Sequence, residues 1–435
     1  MLLIGLPVPS ASQHVTSDMV KTEFLHAWNS YKQYAWGHDA LKPLSKKPHD
    51  WYGTSLYMTP VDAYDVMLLM GLSDEAAEAK TLILDSLSFD RNIQVQAFEI
   101  TIRLLGGLLS AYEMDGDKRF LSLAEDLGGR LLPIFNSKTG MPYRYVHLQT
   151  GAIRDSVNNP AEIGTLLLEF GNLSKLTGNP VYHDKAKNAL VQLYNHRSAI
   201  GLVGTWINVE TGEWTNTTSH IGGAIDSYYE YLLKAWLLFG DEDCKRMWDE
   251  SLMAINQYVA DTVRGEIWYG QVDMNAGKRT GTRFGSLEAF FPAVLCLAGD
   301  TDRARSLEES CYKMWNLHSI EPEEIDYKTM NVTDARYFLR PEIIESAYYL
   351  YHYTGDKKYR EMGETFFRSI VESCRDTVGF AYLTDVRSKA KGDAMESFFF
   401  AETLKYLYLL FAPPETLPFD SVVFNTEAHP LKRQK

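Results

Sequence analysis

The feature that most restricts this chain is a corner that keeps returning. YEMDGDKRFLSLAEDL surrounds Gly116, KLTGNPVYHDKAKNAL surrounds Gly178, and LLFGDEDCKRMWDESL surrounds Gly240. CLAGDTDRARSLEESC and HYTGDKKYREMGETFF repeat the pattern around Gly299 and Gly355, and MGLSDEAAEAK at Gly71 is a weaker early copy. In the five strong copies an apolar stretch of helical period stops at Gly, Asp or Asn follows, and a new helix begins. Glycine supplies the left-handed residue that ends one helix, and the short polar side chain caps the next.

The corners recur about every sixty residues, the length of two helices and two connections. A lone helix hairpin cannot bury its apolar face, so such units stack, and about six or seven fit this length. An open stack needs polar caps at its ends, whereas a closed ring does not. The expected fold is therefore all-α: one toroid of helical hairpins, an inner ring within an outer ring, forming a single domain over 19–435. An open helical solenoid is the alternative. Residues 1–18 are set apart as a leader or loose tail, because MLLIGLPVPSAS is apolar but short and lacks a basic start.

The other set of connections differs in kind. NSKTGMPYRYVHLQTGAIRDSVNNPAE, GLVGTWINVETGEWTNTTSHIGGAID, VRGEIWYGQVDMNAGKRTGTRFGS and EPEEIDYKTMNVTDARYFLRPE are long and rich in aromatics and charge. Loops of such length are uncommon unless they work. With the tight corners on one rim, these loops occupy the other, and that rim is the expected binding face. Alternating stretches such as GEIWYGQVD predict short strands there.

Acid collects where apolar helices begin. QAFEITIRLLGGLLSAY carries Glu99 and Arg103 on one helix face, and GGAIDSYYEYLLKAW carries Asp226 just after its glycines with Glu230 one turn on. YFLRPEIIESAYYLY carries Arg340, Glu342 and Glu345, and AMESFFFAETLKYLYLLF carries Glu396, Phe398 and Glu402. Singly, each acid is accounted for by the helix dipole or a simple ion pair. Ring symmetry changes this, because it turns equivalent junctions towards one pocket. Crowded carboxylates repel, so some stay protonated unless a cation sits among them. One protonated and one ionised carboxyl is what glycoside hydrolysis requires. The accompanying aromatics suit sugar faces, although for most of them core packing is the simpler account.

The chain finishes on SVVFNTEAHPLK, which starts as a strand and then brings Thr426 and Glu427 together. Threaded into the hole of the ring, this segment would carry both residues up to the acids. Hard oxygen donors among carboxylates are calcium chemistry, and a surface strand with a capping threonine is the alternative.

Composition narrows the partners. The formal net charge of −14 repels phosphate backbones, so nucleic acid is excluded as a partner. No apolar run is long enough to span a bilayer. Cys244, Cys296, Cys311 and Cys374 lack metal-binding spacing, and the sequons at Asn172, Asn216 and Asn331 are no more than chance supplies. A monomer is expected.

These motifs resemble the class I α-1,2-mannosidases, glycoside hydrolase family 47. FLHAWNSYKQYAWGHDALKPLS, TPVDAYDVMLLMGL, FEITIRLLGGLLSAY, DSYYEYLLK, LRPEIIES, ESFFFAETLKYLYLLF and VFNTEAHP follow the family's order from about residue 20 to 430. The resemblance implies an (α/α)7 barrel with short β-hairpins on one face, a C-terminal β-hairpin plug, a calcium ion and an inverting mechanism. It implies Glu99 as general acid, Glu342 as general base and Asp226 as a third catalytic carboxylate. Thr426 would bind Ca2+, and Arg103, Arg340, Glu345, Phe398, Glu402 and Glu427 would line the terminal mannose pocket. The implied activity is calcium-dependent inverting hydrolysis of terminal α-1,2-linked mannose from high-mannose N-glycan-type oligosaccharides.

The chain departs from the family in places. His38-Asp39-Ala40-Leu41 lacks the glutamate of the usual DEL, and LEAFFP (Leu287–Pro292) replaces HLxCF, removing a histidine and half of the family disulfide. Cys311 is then expected as a free thiol, and Ala224 stands where an arginine is often found. LEAFFP and WNLHSIEPEEIDY resemble the ER degradation-enhancing branch, whereas VFNTEAHP resembles the processing branch. The alternative function is a mannose-binding lectin-like or glycoprotein quality-control factor with little turnover. The missing disulfide points to a bacterial, secreted or periplasmic member, or to the secretory-pathway lumen in a eukaryote.

Overall fold

A computed structural model describes residues 14–433. Its architecture is an (α/α)7 barrel. The inner ring consists of Met58–Met70, 97–115, 160–177, Asp226–Phe239, 287–297, Glu342–Thr354 and 399–411. The outer ring consists of Ser17–Ala35, Ser73–Ser86, Lys118–Leu131, Pro180–Asn195, 242–259, Thr301–Trp315 and Lys358–Cys374. Burial separates the two rings. Met58–Met70 is buried on nearly all sides, whereas Lys118–Leu131 buries only Phe120, Ala124, Leu127, Gly128 and Leu131, one stripe of an amphipathic helix.

The corners form as their chemistry predicts. Gly71, Gly116, Gly178, Gly240 and Gly355 each end an inner helix with φ between 64° and 85°. A Cβ at any of them would meet open space, so backbone conformation and not crowding selects glycine there. Asp117, Asn179, Asp241 and Asp300 accept from backbone N–H groups of the following first turn.

The ring closes, which removes the open solenoid. Phe24 of the first outer helix meets Phe400 of the last inner helix edge-on, with centroids 5.3 Å apart. Glu23 pairs with Arg375 at 2.7 Å, and Leu41 and Met395 exchange backbone hydrogen bonds. The helical part starts at Ser17, capped by Thr16, and Val15 is already buried. Of the tail expected over 1–18, residues 1–13 lie outside the described residues.

The long loops pair with one another as well as within themselves. Gln94–Gln96 pairs with Tyr145–His147, and Arg283–Gly285 with Glu324–Asp326, so three-stranded antiparallel sheets join successive loops around the rim. The short β-hairpins expected on this face are present, and neighbouring loops add a third strand to several of them. Each loop lacks enough strand length to be stable alone, and borrowing a neighbour supplies the missing backbone partners.

The C-terminal hairpin, Val422–Phe424 paired with Pro430–Lys432, threads the barrel. Its base lies at the corner rim, where Lys432 N–H donates to Glu113 at 2.7 Å and Phe419 stacks on His352 at 4.1 Å. Its tip, 425–429, stands among the inner helices. There Asn425 Nδ2 donates to the Ile102 carbonyl at 2.9 Å and to Glu169 at 2.8 Å. Glycine makes the room: a Cβ on Gly106 would lie 2.5 Å from Asn425 Nδ2, and one on Gly107 would lie 3.2 Å from the His429 ring. Among the described residues no helix is long and apolar enough to cross a membrane.

Candidate active site

Inner helices begin at the loop rim, so their first turns and positive dipole ends converge on the barrel mouth. A cavity of about 400 Å³ lies there, above the hairpin tip. The structure brings all ten candidate residues to its wall: Glu99, Arg103, Asp226, Arg340, Glu342, Glu345, Phe398, Glu402, Thr426 and Glu427. Glu396 is not among them. It accepts from the Trp51 indole N–H at 3.0 Å, in the layer behind Arg103.

Two guanidinium groups organise the acids. Arg103 Nε donates to Glu99 at 2.9 Å, and its Nη1 donates to Glu427 on the hairpin. The i,i+4 pair expected from spacing is therefore also a bridge between barrel wall and tail. Arg340 forms a two-pronged pair with Glu323, at 3.1 and 3.0 Å. The Phe398 ring sits between the two arginines, 5.7 Å from Arg103 and 5.9 Å from Arg340. Wide π-helical turns at 101–105 and 399–404 place Arg103 and Glu402 on this wall.

Carboxylates outnumber cations, and the electrostatics follow. Burial pushes Glu342 up to about 7, with Arg340 opposing the shift, and Glu342 Oε2 is buried without a partner. Burial also pushes Asp226 up to about 6, against the Ser227 N–H that donates to it at 2.8 Å and with Glu230 adding to the rise. Glu345 and Glu427 are raised by burial against the pull of Lys234 and Arg103 respectively. Glu402 is raised by burial and then by Glu427. A protonated acid and an ionisable base can therefore coexist near neutral pH.

Below the cavity, a buried ionic cluster fixes the tip. His429 meets Asp65 through Nδ1 at 2.7 Å and Asp62 through Nε2 at 3.2 Å, while Lys405 meets Asp65 at 2.8 Å. Burial alone would favour neutral imidazole, but Asp65 and Asp62 outweigh it and raise His429 to about 9, so the ring is charged at neutral pH.

The donors around Thr426 suit a hard cation. Among the described residues Thr426 is bonded only through its backbone N–H, to the Tyr231 hydroxyl at 3.3 Å, which leaves its hydroxyl and carbonyl oxygens available. Among the described residues no group of three or more His, Cys, Asp or Glu is gathered to ligate a metal directly. Threonine oxygens plus water, in a pocket with surplus carboxylate, fit calcium better than zinc.

Several lining residues lie outside the expected set. Glu162 lines the cavity and is held by Arg144 at 2.9 and 2.7 Å, Gln96 at 3.0 Å and Asn159 at 2.9 Å. Glu230, already legible as the acid one turn after Asp226, also lines it and pairs with the fully buried Lys234. Asn159-Pro160-Ala161-Glu162 does carry a signal, an N-cap, Pro and acid at a helix start like the other acid junctions. Lys234 carries none, because an isolated lysine in an apolar helix reads as a surface position.

The departures from the family pattern are also placed. Asp39 accepts from the N–H groups of Leu56 at 2.7 Å and Met58 at 3.2 Å, and so secures the start of the first inner helix. Ala224, at φ 75°, and Leu287 line the cavity. All four cysteines are free and buried, Cys311 among them.

A toroid of helical hairpins with a carboxylate-lined mouth defines a carbohydrate-processing class. Within it the match is specific: the profile of glycosyl hydrolase family 47 covers residues 23–433, and the chain belongs to this family. It is 38% identical to the human ER degradation-enhancing α-mannosidase-like protein 2, over 98% of this chain and 80% of that one. It is 36% identical to mouse mannosyl-oligosaccharide 1,2-α-mannosidase IB, over 95% and 69%. The α-1,2-mannosidase of Trichoderma reesei superposes with a TM-score of 0.90 at 28% identity, covering 97% of this chain and 100% of that one. This protein is thus a glycoside hydrolase.

Proposed function

We propose that this enzyme is a calcium-dependent, inverting α-1,2-mannosidase that removes terminal α-1,2-linked mannose from high-mannose N-glycan-type oligosaccharides. The carrying observation is that Glu99, Asp226, Glu342 and Thr426, from three inner helices and the threaded tail, line one cavity. The similarity to named 1,2-α-mannosidases supports the linkage and sugar. No observation favours a lectin that binds without turnover. Trimming of secretory glycans is consistent with a secreted, periplasmic or lumenal location, which belongs to the same proposal.

In this reading Glu342, ionised, takes a proton from the attacking water, and its unpartnered Oε2 is the free acceptor. Glu99 delivers a proton to the leaving oxygen through a water, and Asp226 shares that role or steadies the developing positive charge at the anomeric carbon. Arg103 orients Glu99 and Glu427, Arg340 stands beside Glu342, and Phe398 offers an apolar face to the ring. Thr426 would hold Ca2+ through its hydroxyl and carbonyl oxygens, and the bound ion supplies an electrostatic hold on sugar hydroxyls and water.

The test is α-1,2-mannobiose followed by proton NMR with calcium and with chelator. β-Mannose should appear first and only with calcium. α-Mannose appearing first would overturn inversion, and full activity in excess chelator would overturn the metal requirement.

A further inference from the structure

Leu339, the residue before Arg340-Pro341-Glu342, is buried with a left-handed backbone, φ 63°. A leucine adopts that conformation only where its surroundings impose it. The residues after it have little freedom of their own. The Pro341 ring fixes φ at the start of its helix and biases Arg340 towards an extended backbone. Glu323 holds the Arg340 guanidinium, and the Tyr337 hydroxyl donates to the Arg340 carbonyl at 3.3 Å. Leu339 is therefore the joint that sets where Glu342 and its helix begin.

A side chain from another inner helix holds that joint. Thr403 Oγ1 donates to the Leu339 carbonyl at 2.6 Å, and both residues are buried. Thr403 belongs to the π-helical turn 399–404, and the residue before it, Glu402, lines the cavity. One turn thus faces the site with one side chain and grips the loop bearing Glu342 with the next. The same stretch reaches the tail. Lys405 Nζ donates to the carbonyl of Ala428, a second left-handed residue, φ 57°, two positions after Thr426.

We propose that Thr403 is a positioning residue for the reaction: its hydroxyl keeps Leu339 left-handed and so aims Glu342 at the attacking water. The proposal rests on the hydrolase reading above. Thr403 is buried behind the cavity wall and acts through Leu339. Releasing the carbonyl lets Leu339 relax towards ordinary dihedrals and turns Glu342 away. The loss falls on kcat, because a small misplacement of a reacting group is costly even when substrate still binds.

The experiment measures kcat and KM on α-1,2-mannobiose, and the melting temperature with and without calcium, for the unmodified enzyme, Thr403→Val and Thr403→Ser. Valine keeps the shape and loses the donor, whereas serine keeps the donor. Thr403→Val should lower kcat by about tenfold. It should leave the calcium-induced rise in melting temperature unchanged, because Lys405 still holds the tail. Thr403→Ser should keep the kcat of the unmodified enzyme. Thr403→Ala, which admits water to the carbonyl, takes the place of the valine variant if that one does not fold. An unchanged kcat without the donor, an equal fall with serine, or a calcium-induced rise lost together with kcat overturns the positioning role and leaves the hydrolase reading intact. No release by the unmodified enzyme overturns both.

Discussion

Asn425 Nδ2 donates to the carbonyl of Ile102 at 2.9 Å, tying the tail to the inner helix that carries Glu99 and Arg103. The same side chain accepts from the N–H groups of Glu427 at 2.9 Å and His429 at 2.8 Å, so one amide shapes the whole tip. Gly106 on that helix has ordinary helical backbone, so alanine there would help the helix by roughly 1 kcal/mol in isolation. In the barrel its Cβ would lie 2.5 Å from Asn425 Nδ2, which is held on every side and cannot yield. Gly106→Ala should therefore destabilise by about 1–3 kcal/mol in urea unfolding. A gain in stability would show that the tip does not press on this helix.

Glu342 links activity, pH and stability. As a base it must be ionised, yet burial holds it up to about 7. In low calcium, kcat/KM should fall about tenfold per pH unit below that value. A bound cation opposes protonation of nearby carboxyls, so calcium should move this limb to lower pH. A carboxyl whose folded pKa is raised binds more protons folded than unfolded. Its contribution therefore costs stability progressively as pH rises from about 4.5 to about 7, and the full cost remains above. Glu342→Gln should lower kcat by about 10²–10⁴ while raising the melting temperature at pH 8 and not at pH 4. An unchanged kcat would remove Glu342 from the role of base.

The parts legible in sequence are those where one residue's backbone or chemistry decides the outcome. Gly116 and Gly178 declare a left-handed turn, and Asp117 and Asn179 declare a cap. Acids at helix starts were equally visible, because Glu99, Asp226 and Glu342 break otherwise apolar stretches. What stayed hidden depends on distant partners. Gln94–Gln96 finds Tyr145–His147 across the rim, and Glu162 finds Arg144 just before that second strand, with no spacing rule to announce either pair. The π-helical turns at 101–105 and 399–404 turn Arg103 and Glu402 to the cavity wall, which local propensity does not report.

Thr426 offers a direct test of the cation. Ligand that binds only the folded state stabilises it by RT ln(1 + [L]/Kd), about 2.7 kcal/mol at a hundredfold excess over Kd. Calcium should raise the melting temperature of the unmodified protein. Thr426→Ala loses the hydroxyl donor and should lose most of that rise and most of the activity, while Thr426→Ser retains both. A thermal shift of equal size in Thr426→Ala would place the ion elsewhere.

Glu323 should act on the reaction through Arg340. Its carboxylate receives both Arg340 Nε and Nη2, and it also accepts from the Phe338 N–H at 3.2 Å, so it fixes the guanidinium against the Phe398 ring. Glu323→Gln keeps the shape and loses the charge. Arg340 is then freer to swing towards Glu342, whose rise it already opposes. The variant should lower kcat/KM by about 10–100-fold, comparable to the loss of an outer partner at an ordered site, and shift the acid limb to lower pH because Glu342 loses the repulsion of the Glu323 charge and gains a closer cation. A merely structural role would lower stability and move the limb by no more than the lost repulsion, without the fall of about 10–100-fold in kcat/KM at its plateau. Measuring the pH profile of Glu323→Gln beside its urea midpoint separates the two, and an unchanged plateau kcat/KM would remove Glu323 as the group that positions Arg340.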